Sequence, residues 1–211
     1  PVAKYWPEFK TSAKKQITLR HLLTHYSGLP AGLGLKAKGS GYEVALQKIV
    51  EGKPVSPPGK HFIYSDINFI ILGELVQRIS GRALDEYCRD QIFKPLGMDH
   101  TCFKPSKDLH ARIAPTGGKG IGKVHDPLAY RMGGVAGHAG LFSTADDLAI
   151  FAQTLLDGGK DRNRRILSPF MIEKMTTPQS PPDRMPMRGL GWDIDAPFSS
   201  NRTELLAVGS Y

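Results

Sequence analysis

The sequence predicts an α/β fold of the α+β kind in which helices dominate. Of the 211 residues, 40% are hydrophobic and 23% are charged, a composition typical of globular proteins and unlike that of disordered or collagen-like chains. Start and stop signals for helices recur along the chain, whereas extended segments are few and short. No apolar stretch reaches the roughly 18 residues that a membrane span requires. The length fits one domain, or one domain with lobes.

The first two predicted helices lie in the N-terminal quarter. Thr18 is a candidate N-cap for a helix that Gly28 ends, and the apolar residues between them follow helical spacing, namely Leu19, Leu22, Leu23 and Tyr26. Ser40 and Glu43 have the spacing of a capping box. They predict a second helix from about Tyr42 to Glu51.

A strongly apolar helix is predicted in the centre of the sequence. A stiff Pro-rich loop, 54–59, is followed by a brief extended stretch, 60–64. Ser65 or Asp66 then caps a helix over 67–79 that Gly81 stops. Because this helix is hydrophobic nearly all round, we expect it to be buried.

The remaining elements are predicted from caps and breakers. A helix from about Leu84 to Phe93 should end before Pro95. Some forty residues with little periodicity, 97–140, then follow, and long connections of this kind often form part of a functional site. Further helices are expected from Ser143 or Thr144 to Leu156, with an apolar face of Leu148, Phe151, Ala152 and Leu155, and after Ser168; a strand is expected over 188–194.

The positive charge is concentrated at the N-terminus. The chain carries a net charge of +8, of which residues 1–60 contribute +7, from ten basic and three acidic residues. The basic residues there are mostly lysines without interleaved aromatics, including Lys4, Lys10, Lys14, Lys15, Lys36 and Lys38. We therefore interpret them as a solvated face and do not expect nucleic-acid binding.

Two short motif matches are rejected on context. His21 and His25 are four residues apart and could share a zinc ion, but Leu22 replaces the Glu that a metalloprotease needs, and no third ligand is evident. Ser12 and Lys15 match Ser-x-x-Lys but lie in a polar, lysine-rich stretch, whereas that chemistry needs a buried lysine. We expect neither a metal site nor a nucleophile at these positions.

Five ordered segments carry a family resemblance. They are Ile-Thr-Leu-Arg-His-Leu-Leu-Thr-His-Tyr-Ser-Gly-Leu-Pro at 17–30, Pro-Gly-Lys-His-Phe-Ile-Tyr-Ser-Asp at 58–66, Pro-Leu-Gly-Met-Asp-His-Thr at 95–101, Gly-Gly-Val-Ala-Gly-His-Ala-Gly-Leu-Phe-Ser-Thr-Ala-Asp-Asp-Leu at 133–148 and Gly-Leu-Gly-Trp at 189–192. Their order resembles the serine β-lactamase-related family, which includes class C β-lactamases, DD-peptidases of the penicillin-binding protein type, and esterases. The resemblance implies a β-lactamase/transpeptidase-like fold. Residues 1–211 would be a partial domain dominated by the helical lobe, with most of the antiparallel sheet outside it.

The resemblance also implies a reaction. Members of this family transfer an acyl group to a serine and hydrolyse the acyl-enzyme, without a metal or an organic cofactor. The substrate would be an ester, a D-amino-acid peptide or a β-lactam, hence a small molecule or a peptidoglycan-like ligand. The nucleophilic Ser-x-x-Lys is expected before Pro1 and the His- or Lys-Thr-Gly strand beyond Tyr211, so residues 1–211 alone should be inactive. The family is mostly periplasmic, membrane-anchored or secreted.

An inactive member of the same fold is the alternative. Such a protein would keep the five segments but lack the upstream serine or lysine, and would bind or sense peptidoglycan-type ligands. Fold alone does not decide between the two.

Three residues are candidates for the site. The resemblance implies that Tyr64 is the tyrosine of a Tyr-x-Asn motif, which helps move the proton of the nucleophile; the alternative from the sequence is that Tyr64 packs against the 67–79 helix. Asp66 stands where the motif has Asn, and an ionised Asp can only accept hydrogen bonds. This favours an esterase or peptidase over an efficient β-lactamase, unless Asp66 serves mainly as an N-cap. His138 either faces the substrate or is an ordinary loop histidine.

Overall fold

A computed structural model describes residues 1–11, 13–34, 41–117, 120–161 and 164–195. The predicted roles of Ser12 and Ser40, and the positions of Lys36 and Lys38, lie outside the described residues. The α-helices are α1 Leu19–Leu23, α2 Tyr42–Glu51, α3 Asp66–Ser80, α4 Leu84–Cys88, α5 Lys94–Leu96, α6 Pro127–Arg131, α7 Ala145–Leu156 and α8 Pro169–Thr176. Short 3₁₀ turns occupy Val2–Lys4, Pro7–Lys10 and Lys107–Arg112, and a π-helical turn occupies Arg89–Phe93.

The described strands are short and pair as three antiparallel two-stranded sheets. Strand β1 Cys102–Phe103 pairs with β2 Leu141–Phe142, β3 Lys160–Asp161 with β4 Arg164–Arg165, and β5 Met187–Arg188 with β6 Asp193–Asp195. Helices therefore dominate the described part of the chain, as the sequence predicts. No helix among the described residues has the length and apolar character needed to span a bilayer.

Helix α3 is the centre of the core. Its bounds match the prediction to within one residue, and Gly81 ends it in the left-handed conformation, with φ of 69°. Ile70 and Ile71 are fully buried against the N-terminal segment, whose buried apolar residues are Val2, Trp6, Phe9 and Ile17. A polar contact adds to this packing, because the Tyr42 hydroxyl donates to Glu74 Oε2 at 2.8 Å.

Of the two residues predicted as the N-cap of α3, Ser65 and not Asp66 occupies that position. Asp66 is the first residue of the helix, and Ser65 occupies the N-cap position without a side-chain capping bond. The Ser65 hydroxyl instead donates to the carbonyl of Pro30. The Asp66 carboxylate is therefore not used in capping.

Helix α1 is shorter than predicted. It ends at Leu23, and the Thr24 hydroxyl donates to the Arg20 carbonyl in its last turn. His25 follows with φ of 61°, a left-handed conformation that cannot continue a helix. The residues from His25 to Gly28 are thus a loop rather than a third helical turn.

The helix from Leu84 extends beyond its predicted end. It continues through the π-helical turn and Lys94–Leu96, so it includes Pro95, and Gly97 ends it with φ of 71°. The π-helical turn directly before Pro95 changes the hydrogen-bond spacing at the point where the proline N–H is missing.

The 188–194 segment is a hairpin rather than one strand. Gly191 has φ of 85° and reverses the chain between β5 and β6. The Gly191 amide donates to the Leu23 carbonyl at 3.1 Å, which joins the hairpin to the end of α1. The glycines therefore form the turn instead of preceding a strand.

The apolar face predicted for α7 is only partly buried. Thr144 caps the helix by accepting a hydrogen bond from the Asp147 amide, as predicted. Leu155 is buried, but Leu148 is 53% exposed in the described structure. The buried polar Asp147 instead joins α7 to the preceding loop, accepting from the Thr101 hydroxyl at 2.6 Å.

Lys14 is not part of a solvated face. Its side chain is buried, and its ammonium donates to the carbonyls of Ile49 and Val50 at the end of α2. Burial lowers the pKa of Lys14. A cation at the carboxyl end of a helix is favourable because unpaired carbonyls concentrate negative charge there.

Candidate active site

Tyr64 lies on the surface beside a buried histidine. Its side chain is 49% exposed, and its ring stacks on the His25 ring with centroids 4.5 Å apart and planes 30° apart. Tyr64 precedes α3 by two residues, at the end of an extended segment. The arrangement fixes the ring and leaves the phenol accessible to a ligand.

His25 holds this segment in place through both its backbone and its side chain. The Ile63 amide donates to the His25 carbonyl at 2.9 Å, and the Ser65 amide donates to His25 Nδ1 at 3.1 Å. The two residues that flank Tyr64 are therefore bonded to the same histidine. This makes His25 a positioning residue for Tyr64.

A small polar network fixes the histidine in turn. Asn68 Nδ2 donates to His25 Nδ1 at 3.0 Å, and the Ser27 hydroxyl donates to Asn68 Oδ1 at 2.6 Å. All three side chains are buried. Because Nδ1 accepts these bonds, the neutral ring carries its proton on Nε2.

The electrostatic environment keeps His25 neutral. Burial lowers its pKa to about 3, with a smaller contribution from the positive charge of Arg188. Protonation of His25 Nδ1 would place an N–H donor opposite the Ser65 and Asn68 donors that now bond to it. Protonation of this buried ring is therefore unfavourable.

Arg188 supplies a buried cation next to these rings. It lies on β5, is 5% exposed, and its Nη1 is 3.5 Å from Asp193 Oδ1. Burial lowers the pKa of Arg188, while the charges of Asp193 and Tyr64 act in the opposite direction. The guanidinium is thus within electrostatic range of the Tyr64 phenol.

The other two predicted site residues meet in a second group. Asp66, Asp126 and His138 have ligand-type atoms that all lie within 4.8 Å of one another. His138 Nε2 is 3.0 Å from Asp126 Oδ1, and the His138 side chain is only 4% exposed. His138 is therefore neither a solvated loop histidine nor held by backbone groups through this nitrogen.

The acids of this group have different environments. Burial is the main cause that raises the pKa of Asp66, and the neighbouring Asp126 acts in the same direction. Burial also acts to raise the pKa of Asp126, but its bonds to the Ala129 amide and to His138 outweigh that effect and lower it. The Ala129 bond, 2.6 Å long, is the N-cap of α6.

Comparison with known proteins identifies the family. The beta-lactamase family model matches residues 1–206. The chain belongs to the beta-lactamase family. This confirms the resemblance and the β-lactamase/transpeptidase-like fold expected from the five segments.

Two curated relatives and one solved structure are similar to most of this chain. Proteins of Salmonella agona and Escherichia coli named "Putative D-alanyl-D-alanine carboxypeptidase" are each 31% identical, over 96% and 92% of this chain and 54% and 52% of theirs. The chain thus spans about half the length of these curated relatives. An octameric penicillin-binding protein homologue of Pyrococcus abyssi is 25% identical, with a TM-score of 0.66 over 90% of this chain and 46% of its own.

A second solved structure supports the fold alone. A penicillin-binding protein homologue of Caulobacter crescentus is 21% identical, with a TM-score of 0.72 over 93% of this chain and 60% of its own. The family and the fold are therefore established from independent comparisons. The activity of the whole protein is a separate question.

Sequence reasoning missed three residues that complete the two groups. Arg188 is predicted only as the start of a strand, Asp126 is not singled out, and His25 is considered only as a zinc ligand, which is rejected, without a link to Tyr64. The position of Arg188 directly before Gly-Leu-Gly-Trp is the one local signal that could have indicated its role. The others depend on contacts between distant segments.

Proposed function

We propose that the protein containing this chain is a serine hydrolase that forms an acyl-enzyme on a D-amino-acid peptide or an ester. The observation that carries the proposal is the exposed Tyr64 phenol, held by His25 next to the buried Arg188 cation. A tyrosine side chain within hydrogen-bond reach of a reacting hydroxyl can take part in general acid–base catalysis. The named function of the carboxypeptidase relatives supports a peptide substrate.

In the proposed reaction Tyr64 moves one proton. As the serine Oγ forms its bond to the acyl carbon, the Tyr64 phenolate accepts the proton of that hydroxyl. The proton then passes to the leaving amine or alcohol as the scissile bond breaks, and water hydrolyses the acyl-enzyme. The nucleophilic serine of this scheme belongs to a Ser-x-x-Lys segment before Pro1.

Asp66 supports a peptide or ester over a β-lactam. A neutral Asn would donate a hydrogen bond to a substrate carbonyl, whereas an ionised Asp repels the carbonyl oxygen. Asp66 also interacts electrostatically with Asp126 and His138. We therefore assign Asp66 to shaping the substrate rim and not to holding an acyl-amide carbonyl.

The test is turnover by the full-length protein and its Tyr64→Phe variant. With a D-alanyl-D-alanine peptide and an activated ester as substrates, loss of the phenol should lower kcat about 10²- to 10⁴-fold, the usual contribution of acid–base catalysis. Tyr5→Phe is the matched control, because Tyr5 is also exposed, at 39%. Equal rates in both variants would refute the role of Tyr64, and ligand binding without any turnover in the wild type would indicate an inactive binding domain.

A further inference from the structure

The Asp66, Asp126 and His138 group joins three separate parts of the chain. Asp66 begins α3, Asp126 caps α6, and His138 lies on the loop before β2. One ligand-type atom from each lies within 4.8 Å of the other two. All three residues are partly buried, so the group is not a chance gathering of exposed side chains.

One buried nitrogen of the group lacks a hydrogen-bond partner in the described structure. The His138 side chain is only 4% exposed, and its Nδ1 has no hydrogen-bond partner, whereas its Nε2 lies 3.0 Å from Asp126 Oδ1. An unpaired polar atom in a buried position is unfavourable unless a ligand binds to it. The group therefore has unused binding capacity.

The chemistry of the three side chains matches one class of ligand. Two carboxylates close together repel each other, and a bound cation relieves that repulsion. An imidazole nitrogen with two carboxylate oxygens is a ligand set typical of zinc and similar divalent ions, whereas calcium and magnesium prefer oxygen alone. Zinc with ligands at about 2.0–2.2 Å places them roughly 3.3 Å apart.

We propose that Asp66, Asp126 and His138 form a binding site for one divalent cation of the zinc type. Each residue supplies one ligand atom, and water or a ligand fills the remaining position. A cleft of about 450 Å³, lined by Asp126 and Ala139 among others, gives access from solvent. The site also gives a physical reason for Asp instead of Asn at residue 66, because a carboxylate binds cations far more strongly than an amide does.

The site shares Asp66 with the rim of the proposed substrate site, so it is tested by metal content and not by activity. Tag-free full-length protein is dialysed against Zn²⁺ and then against metal-free buffer, and its zinc is measured by mass spectrometry. We expect one equivalent more in the wild type than in the Asp126→Asn and His138→Gln variants, with at least a roughly tenfold weaker Kd in each variant. Asn still accepts the α6 capping bond, so Asp126→Asn keeps the helix start.

A matched control separates this site from general surface binding. Asp99 and His100 are an exposed Asp–His pair outside the group, so the Asp99→Asn/His100→Gln double variant removes the same kinds of side chain. It should retain zinc as the wild type does. Zinc loss in the control equal to that in the site variants, or no zinc in the wild type, would overturn the proposal.

A second measurement uses only the wild type, so it tests the site even if the variants fail to fold. In the wild type, the ¹⁵N shifts of the imidazole rings are followed during a Zn²⁺ titration. Of the seven histidines in the chain, His138 should shift in proportion to bound zinc. A titration in which the His138 shifts stay constant would contradict the site without any substitution.

Discussion

Protonation of His25 is the event that would most directly disturb the site. Its Nδ1 accepts hydrogen bonds from the Ser65 amide and from Asn68, and both bonds require an unprotonated nitrogen. The same bonds fix the segment that carries Tyr64. Stability and site geometry are therefore coupled through one ring nitrogen.

Acid should destabilise the protein through this residue. The ordinary pKa of His is 6.5, and the folded protein lowers it to about 3, so the unfolded chain binds more protons between these values. The free energy of unfolding should fall as pH drops from about 7 towards 3, by up to about 1.4 kcal/mol per pH unit from this group. Urea unfolding at several pH values measures the effect.

A substitution isolates the contribution of His25 from that of the carboxylates. His25→Asn suits the left-handed backbone and removes the titrating ring. Its unfolding free energy should depend less on pH than that of the wild type between pH 4 and 7. The exposed His61→Asn serves as the control. Parallel pH curves for the wild type and His25→Asn would show that His25 contributes nothing.

Arg188 should act on His25 through its charge. Arg188→Gln removes the cation that helps to depress the pKa of His25, so that pKa should rise from about 3. NMR titration of the His25 ring tests this, and Arg188→Lys, which keeps the charge, should change it less. If the pKa of His25 is the same in Arg188→Gln as in the wild type, the Arg188 charge does not act on His25.

At the scale of elements, the packing of α3 against the 133–140 loop positions His138. A Cβ atom on Gly137 would lie 2.0 Å from the Phe69 carbonyl oxygen, which belongs to α3. Such a close approach is possible only without a side chain. Gly137 thus brings His138 to the start of the same helix that carries Asp66.

Gly137→Ala should separate these elements. We expect the loss of about 2 kcal/mol or more of unfolding free energy, because backbone atoms have to move apart. Gly34→Ala is the control, since a Cβ there would meet nothing within 4 Å. Chemical denaturation compares the two. A Gly137→Ala protein as stable as Gly34→Ala would contradict the close packing.

The elements that could be predicted from the sequence are those that local signals determine. The ends of α2 at Gly52 and of α3 at Gly81, and the start of α8 at the Ser168 cap, follow from local signals, which act within a few residues. The end of α1, the passage of the helix through Pro95, and the β5–β6 hairpin were mispredicted because each depends on neighbours. His25, for example, leaves the helix to bond Ile63 and Ser65, which are about forty residues away.

For the whole molecule, the family could be predicted from the order of five segments, but the composition of the site could not. Tyr64, Asp66 and His138 follow from matched motifs, whereas Arg188 and Asp126 join them through contacts between distant parts of the chain. Electrostatic neighbours at such separations leave no periodicity or spacing in the sequence. Lys14 is a further example of a residue whose surroundings could not be predicted from the sequence. It lies in a polar stretch, yet its side chain is buried at the end of α2.

Mapping of an acyl-enzyme tests the central claim most directly. The full-length protein is incubated with an activated ester and with penicillin, quenched, and analysed by intact-mass and peptide mass spectrometry. We predict one acyl group per chain on the serine of a Ser-x-x-Lys sequence preceding residue 1, formed more slowly in Tyr64→Phe. The absence of any covalent adduct with either reagent, or an adduct formed at equal rates in both proteins, would contradict the account.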